Sequence, residues 1–375
     1  MSFFKNEKSW PLVPLKDIAT LKRGYDLPTQ ARKEGVIPIY AANGQNGQHN
    51  EAKIKGPGVI TGRSGTIGKV HYTKNDFWPL NTALYVMNFH GNDPKWVFYL
   101  LQAFKLERFV EGAGVPTLNR NLVHGELIPL PPLEEQKRIA TILDKADAIR
   151  QKRHQAIALA DDFLRSVFLD MFGDPVTNPK RFPQGTIRDL VESANYGSSA
   201  KASEDTGDYP ILRMGNITYQ GRLELSDLKF IDLHDSDKEK FLVRKGDLLF
   251  NRTNSKELVG KTAVFEQDNP MAFAGYLVRI RTNELGNNYY LSGYLNSAHG
   301  KKTLSNMCKS IVGMANINAQ ELQNIRISLP PIELQNRFEI IVKETNFRLL
   351  KHEKSRCELE VLFASLTKKC FSGEL

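Results

Sequence analysis

Residues 129–136 read Pro129-Leu130-Pro131-Pro132-Leu133-Glu134-Glu135-Gln136, and residues 328–335 read Ser328-Leu329-Pro330-Pro331-Ile332-Glu333-Leu334-Gln335. The second stretch repeats the first at an offset of 199, and the offset holds on both sides of it. Asn119 falls on Asn318, Arg138 on Arg337, Ile142 on Ile341, Ser166 on Ser365 and Phe172 on Phe371. Further upstream the copies still correspond, with loops of different length. Trp10-Pro11 before Leu15-Lys16-Asp17-Ile18 matches Phe182-Pro183 before Ile187-Arg188-Asp189-Leu190, and Arg63 through Ile67-Gly68-Lys69 matches Arg252 through Val259-Gly260-Lys261. Self-similarity at a fixed offset is the mark of a duplicated architecture. The chain is therefore expected to be a tandem of two units, each a globular module followed by a long helix.

The helices follow from the residues after each Pro-Pro. Proline is suited to the first turn of a helix, and Glu134 and Glu135 sit where the helix dipole favours anions. Apolar or small residues then recur at Ile139, Ile142, Ala146, Ile149, Ala156, Ala160, Phe163 and Val167, with a polar break at Arg153, until Gly173-Asp174-Pro175 stops the pattern. A helix over 133–172 would be roughly 60 Å long. The second copy, 332–371, carries apolar clusters at Phe338–Val342 and Leu359–Phe363, with Leu366 and Phe371 beyond. Both helices have polar centres, Gln151–Gln155 and Lys351–Arg356, so an antiparallel pairing would set centre against centre.

The modules read as mixed and strand-rich, an α+β fold. Short runs at Val36–Tyr40, Gly58–Ile60, Ala83–Val86, Asp247–Phe250 and Ala274–Ile280 are bounded by Gly, Asn and Pro and predict strands. Lys95–Phe104 and Tyr289–His299 have helical spacing. The resulting division is a first module over 1–131, a long helix over 132–174, a second module over 175–330 and a second long helix over 331–375.

Composition narrows the function classes. The 375 residues carry 51 Lys+Arg against 42 Asp+Glu, a net charge of +9, and 41% hydrophobic residues are enough for two proper cores. Neither an apolar run long enough to span a membrane nor an apolar leader follows Met1, so a cytoplasmic protein is expected. Cys308, Cys357 and Cys370 lack metal-ligand spacing and fit a reducing compartment. The charge is not evenly spread. Residues 1–132 hold 16 basic against 10 acidic side chains, the helix 133–172 balances at seven and seven, and 173–331 hold 20 against 18.

Enzymatic motifs are missing. A phosphate loop needs Gly-x4-Gly-Lys-[Ser/Thr]. Residues 255–262 have Ser255 where the leading glycine belongs, and 62–69 have one residue too many, with Val70 at the Ser/Thr position. The Asn/Asp-Pro-Pro-aromatic loop of an adenine methyltransferase is absent, and Glu111-Gly112-Ala113-Gly114 reads as a turn. His49, His71, His90 and His124 are scattered single histidines without metal spacing.

The side chains suited to nucleic acid gather in glycine-rich loops. The first module offers Lys22, Arg23 and Tyr25, then Asn43 and Asn46, then Arg63, Ser64, Thr66 and Lys69; the second offers Arg213 and Asn216, then Arg252, Thr253, Asn254, Ser255, Lys256 and Lys261. Arg, Asn, Ser, Thr and Lys are the groups that hold phosphates and read base edges. Two equivalent sets in two repeats point to binding rather than to ordinary turns.

The run Leu130 to Ile139, the long helix and Met171-Phe172-Gly173-Asp174-Pro175 resemble the central conserved region of type I restriction-modification specificity subunits. The copy opening at Leu329-Pro330-Pro331-Ile332 resembles their C-terminal conserved region, although it ends in Phe371-Ser372-Gly373-Glu374. The resemblance spans essentially the whole chain. It implies a non-catalytic reader of double-stranded DNA, each module taking one half of an interrupted site. The helices would form an antiparallel coiled-coil rod, related by pseudo-two-fold symmetry, that fixes the spacer and docks two DNA adenine methyltransferase subunits. Restriction/translocase subunits would complete the assembly, with S-adenosylmethionine and ATP on the partners and no cofactor or metal in this chain. The contrasting expectation is a helix-rod scaffold whose paired modules bind protein or RNA.

Overall fold

A computed structural model of the chain describes residues 3–111, 115–311 and 314–375. The turn expected at Glu111–Gly114 falls mostly on residues outside these. The chain divides into two compact units, one made of Met1–His154 with Lys354–Leu375 and the other of Gln155–Glu353. Each unit contains a module, the beginning of one long helix and the end of the other.

The duplication shows in the sheets. In the first unit a four-stranded antiparallel sheet runs in the order Thr20–Arg23, Ala83–Asn88, Gly58–Gly62, Val70–Thr73. In the second the order is Val191–Tyr196, Leu277–Thr282, Leu248–Asn251, Thr262–Val264, with the same antiparallel pairings. A smaller sheet in each unit contains one parallel pair, Ile37–Ala41 with Trp78–Pro79 in the first and Tyr209–Leu212 with Met271–Phe273 in the second. Each module is closed by a short antiparallel pair linking its beginning to its end, Leu12–Pro14 with Leu127–Pro129 and Gln184–Thr186 with Arg326–Ser328.

The strand expected at Ala274–Ile280 begins later, at Leu277, because Leu277 N–H donates to the Ala274 carbonyl and closes a turn first. The helix expected at Tyr289–His299 is two helices, Asn288–Asn296 and Ala298–Met307. Ser297 between them is extended, and its hydroxyl accepts from Gly300 N–H, which starts a new helix instead of continuing the old one.

The long helices run from Leu133 to Phe172 and from Ile332 to Ser372. Their entries explain the repeated motif. Gln136 is 2% exposed; its Oε1 accepts from Asp93 N–H at 2.9 Å, and its Nε2 donates to Asn92 Oδ1 and to the Pro131 carbonyl. Gln335 is fully buried and repeats the arrangement, accepting from Asn287 N–H and donating to the Leu285 and Pro330 carbonyls. Asp93 and Asn287 are the N-caps of the helices Pro94–Ala103 and Asn288–Asn296. The glutamine therefore ties the first turn of each long helix to the start of its module's own helix.

Tryptophan and phenylalanine before the prolines of the repeat play matching parts. Asn6 exchanges two hydrogen bonds with the backbone of Trp10, and Asn178 does the same with Phe182. Leu130 N–H then donates to the Pro11 carbonyl and Leu329 N–H to the Pro183 carbonyl.

The helices bury their ends rather than one continuous stripe. In the first unit Ile139, Ala140 and Leu143 share a core with Trp96, Tyr99, Cys370 and Phe371. In the second, Phe338 meets Phe168 and Phe172 edge to face, and both of these lie against Tyr290, at 5.8 and 4.7 Å. Within the first unit the two helical segments run in opposite directions, since Arg138 bonds the Leu375 carbonyl while Arg150 bonds Glu360. Several residues of the expected stripe are not buried. Ile142 is half-buried, and Ile149 and Phe163 are 55% and 51% exposed. The modules, not the helix partner alone, choose the buried face at each end.

One lysine of the second unit carries a pH signature. Lys301 Nζ lies 3.3 Å from the Tyr219 ring centroid and donates to the Tyr219 carbonyl. Burial, with Arg165 nearby, lowers its pKa to about 8. The unfolded chain keeps that proton until about pH 10.4. Between about pH 8 and that value the unfolded state binds more protons, so this lysine makes stability rise with pH across the window. Lys301→Gln is expected to flatten the rise, measured as the shift in urea midpoint between about pH 7.5 and about pH 9.5. An unchanged pH dependence would show that the ammonium is not desolvated in the folded protein.

Candidate nucleic-acid interface

The loops singled out in the sequence occupy one place in the fold. Residues 62–70 connect Gly58–Gly62 to Val70–Thr73, and residues 251–262 connect Leu248–Asn251 to Thr262–Val264. Both are connections between antiparallel strands, which is not the strand-to-helix setting of a phosphate loop. Arg63 and Arg252 stand at equivalent points. Arg63 N–H donates to the Thr82 carbonyl and its own carbonyl accepts from Leu118 N–H; Arg252 N–H donates to Tyr276 and its carbonyl accepts from Ile317 N–H. Ser64 is bridged to Thr117, and Thr253 to Asn316, and Thr117 and Asn316 are again 199 residues apart.

In the first module this pairing builds a basin of about 540 Å³ lined by Arg23, Arg63, Glu111, Thr117, Asn119 and Arg120, among others. Arg63 spends its Nε on the Asn81 carbonyl at 2.9 Å. Arg23, at the end of its strand, reaches only as far as 4.0 Å from Asp26. Lys22 and Lys69 are exposed beside these loops, and Thr66 is half-buried. The structure does not bring Tyr25, Asn43 or Asn46 into the basin lining. The Tyr25 hydroxyl meets that of Tyr85 at 3.1 Å, Asn43 is exposed in the hairpin turn before Gly44–His49, and Asn46 accepts from Arg32.

The second module presents a different surface at the equivalent place. The Arg252 guanidinium lies 4.7 Å over the Tyr196 ring and donates to Asn316 Oδ1 at 3.3 Å, while Asn316 Nδ2 donates to the Thr253 hydroxyl. Asn254 Oδ1 accepts from Ser255 N–H, and Lys256 is exposed. Tyr196 and Tyr276 are 41% and 49% exposed. Three of the residues chosen from sequence are occupied inside the module. Asn216 is 3% exposed, accepts from Arg213 N–H and donates to the Glu224 and Asp227 carbonyls, so it staples a loop and is set aside as a contact residue. Arg213 pairs with Asp227 at 2.9 Å. Lys261 donates to the Met214 carbonyl, and burial lowers its pKa.

Sequence reasoning missed Arg120, Glu111, Tyr196, Tyr276 and Asn316. The repeat offered one signal, because Asn119 and Asn318 share the offset and both cap short helices, which places Arg120 at a fixed position in the first module. Three of the four scattered histidines have structural partners: His49 Nδ1 accepts from Lys33 N–H, His124 Nε2 from Leu21 N–H, and His90 meets the Thr20 hydroxyl. Burial holds the pKa values of His71 and His124 down. Among the described residues no group of His, Cys, Asp and Glu is arranged to hold a metal, and no helix is long and apolar enough to cross a membrane.

Two copies of one mixed module, each followed by a 40- or 41-residue helix and each presenting an arginine from the same strand connection, define a duplicated recognition protein. The sequence model described as "Type I restriction modification DNA specificity domain" matches residues 7–159 and again 179–356, and the chain belongs to that family. Among its relatives, the type I restriction enzyme EcoKI specificity subunit of Escherichia coli strain K12 is 22% identical over 423 aligned positions, spanning 100% of this chain and 91% of the relative. The S subunit of a type I restriction-modification system from M. genitalium has the same fold, with a TM-score of 0.66 at 16% identity over 99% of both chains. A chain from a structure on complex assembly and conformational transition of the type I R-M system gives 0.54 at 17% identity, covering 99% of this chain and 100% of that one.

Proposed function

We propose that the chain is the DNA-specificity subunit of a type I restriction-modification complex. Each module, 1–131 and 175–330, reads one half of an interrupted site. The helical segments 132–174 and 331–375 form an antiparallel rod that sets the spacer and docks two adenine methyltransferase subunits. Restriction/translocase subunits complete the restriction form. The chain itself performs no chemistry: S-adenosylmethionine and ATP are used by the partners, in the cytoplasm. The single observation that carries this reading is the duplicated interface, Arg63 and Arg252 held by identical backbone bonds in two modules that both match the family. The helices add support, because Ile149, Phe163, Val361 and Leu362 are all more than half exposed, as expected of a surface that other subunits cover.

The test is reconstitution. The purified chain alone neither methylates nor cuts. Added to methyltransferase subunits, it confers binding to one interrupted site, with affinity that falls steeply with salt. Methylation or cleavage by the isolated chain, or salt-insensitive association with protein or RNA instead of duplex DNA, would overturn the reading in favour of an enzyme or a scaffold.

Arg252→Ala is expected to weaken recognition of the second module's half-site by about 1–3 kcal/mol and to leave assembly intact. Competition binding with duplexes altered in one half-site at a time checks this. A loss equal on every sequence would mark Arg252 as a phosphate contact.

A further inference from the structure

Resting on the reading above, we propose that the basin of the first module reads a G·C base pair through the major groove. Arg120, with Arg23 and Arg63, donates to guanine O6 and N7, and Glu111 accepts from the cytosine amino group.

The basin gathers three guanidiniums from three separate pieces of chain: a strand end, a strand connection and the start of the short helix Arg120–Gly125. Arg120 is exposed, and no hydrogen bond or ion pair engages it among the described residues. Arg63 commits only its Nε, which fixes the side chain and leaves the terminal nitrogens for a ligand. A basin built only for phosphate would hold donors alone. This one also holds a carboxylate, Glu111, that accepts from Asn119 Nδ2 at 2.9 Å and is not paired to any of the three arginines among the described residues. Donors beside a fixed acceptor are the complement of a G·C pair, which shows the O6 and N7 acceptors of guanine next to the N4 donor of cytosine in the major groove. An A·T pair also has an amino donor that Glu111 could meet, but that donor lies between its two acceptors, adenine N7 and thymine O4; only guanine sets two acceptors side by side for a guanidinium fork.

The second module lacks this combination. Where Arg23, Arg63, Thr117 and Arg120 stand in the first, it has Tyr196, Arg252, Asn316 and Ala319, so one clamped guanidinium replaces three. The two half-sites are therefore read by different chemistry.

The experiment uses the complex of the full chain with its methyltransferase subunits. Methylome sequencing of cells expressing the wild-type complex defines the site, and duplexes carrying that site are the binding probe. The expected motif has a G·C pair in the half-site that changes when the first module is altered. Arg120→Ala should weaken binding about 10- to 100-fold and relax the motif at that pair alone. Replacing its guanine by 7-deazaguanine should weaken the wild-type complex about 10-fold and the Arg120→Ala complex clearly less. Glu111→Gln should cost most at the same pair. Arg120→Lys keeps the charge but loses the fork, and should relax the motif in the same way; it carries the test if the alanine variant assembles poorly. A uniform loss on all sequences, or an unchanged motif and affinity, overturns the inference. Failure of the wild-type complex to bind any site is a different result, read before any variant is made, and it would sink the proposed function instead.

Discussion

Leu143→Asp is expected to unfold the first unit. Leu143 is fully buried in a core that also contains Ile139, Trp96, Tyr99 and Phe371. Removing a buried leucine costs about 2–5 kcal/mol through lost transfer energy and an unfilled cavity. Placing a carboxylate there adds several kcal/mol more, because Asp144 next to it already holds Lys95 and the Tyr99 hydroxyl. A total of about 5 kcal/mol or more is comparable with the whole stability of an ordinary domain. Ile142→Asp, one residue away but half-buried, is the control and should cost about 0.5–3 kcal/mol. The chain has three tryptophans, Trp10, Trp78 and Trp96, all within the first unit, so fluorescence-monitored urea unfolding reports this unit alone. Similar midpoints for the two variants would show that the helix face at this end is not chosen by the module.

That pair of residues also marks how far the sequence can be read. The duplication, the two long helices and five of the strands were visible because they carry signals in the sequence itself: an offset of 199, a proline entry, a glycine stop, short apolar runs between turn residues. The buried face of each helix was not visible. A 3-4 stripe through Ile142, Ile149 and Phe163 assumes one partner along the whole length, whereas Ile139, Leu143, Phe168 and Phe172 are buried because each helix end meets a different module. The site divides in the same way. Arg63 and Arg252 were legible because the repeat aligns them. Arg120 and Asn316 join them only through pairings across more than 50 residues, Ser64 with Thr117 and Thr253 with Asn316. Asn216 shows the converse: an amide in a glycine-containing loop looks like a reader until its backbone acceptors are seen.

Gln335→Leu should destabilise the second unit by about 3–5 kcal/mol. Leucine nearly matches glutamine in size, so the packing term is small and the polar term decides. The substitution strands Asn287 N–H and removes one donor from each of the Leu285 and Pro330 carbonyls in a site without solvent access. Each buried group left unsatisfied costs about 1–3 kcal/mol. The backbone N–H at the helix cap is the worst of the three, since Asn287 has its own side chain engaged with Tyr289 N–H, Asn336 and Glu339. The loss should be local at first. Amide exchange should rise in the first turn of Asn288–Asn296 before global unfolding, because that turn and the long-helix entry are held by the same glutamine. Gln136→Leu should do the same at Asp93 and Trp96 in the first unit, where fluorescence can follow it. If exchange rises equally over the whole unit, the glutamine acts through general packing. If it rises at the cap alone, the repeated Pro-Pro-x-Glu-x-Gln sequence is a hydrogen-bonded clamp, present twice because each module must hold the helix that leaves it.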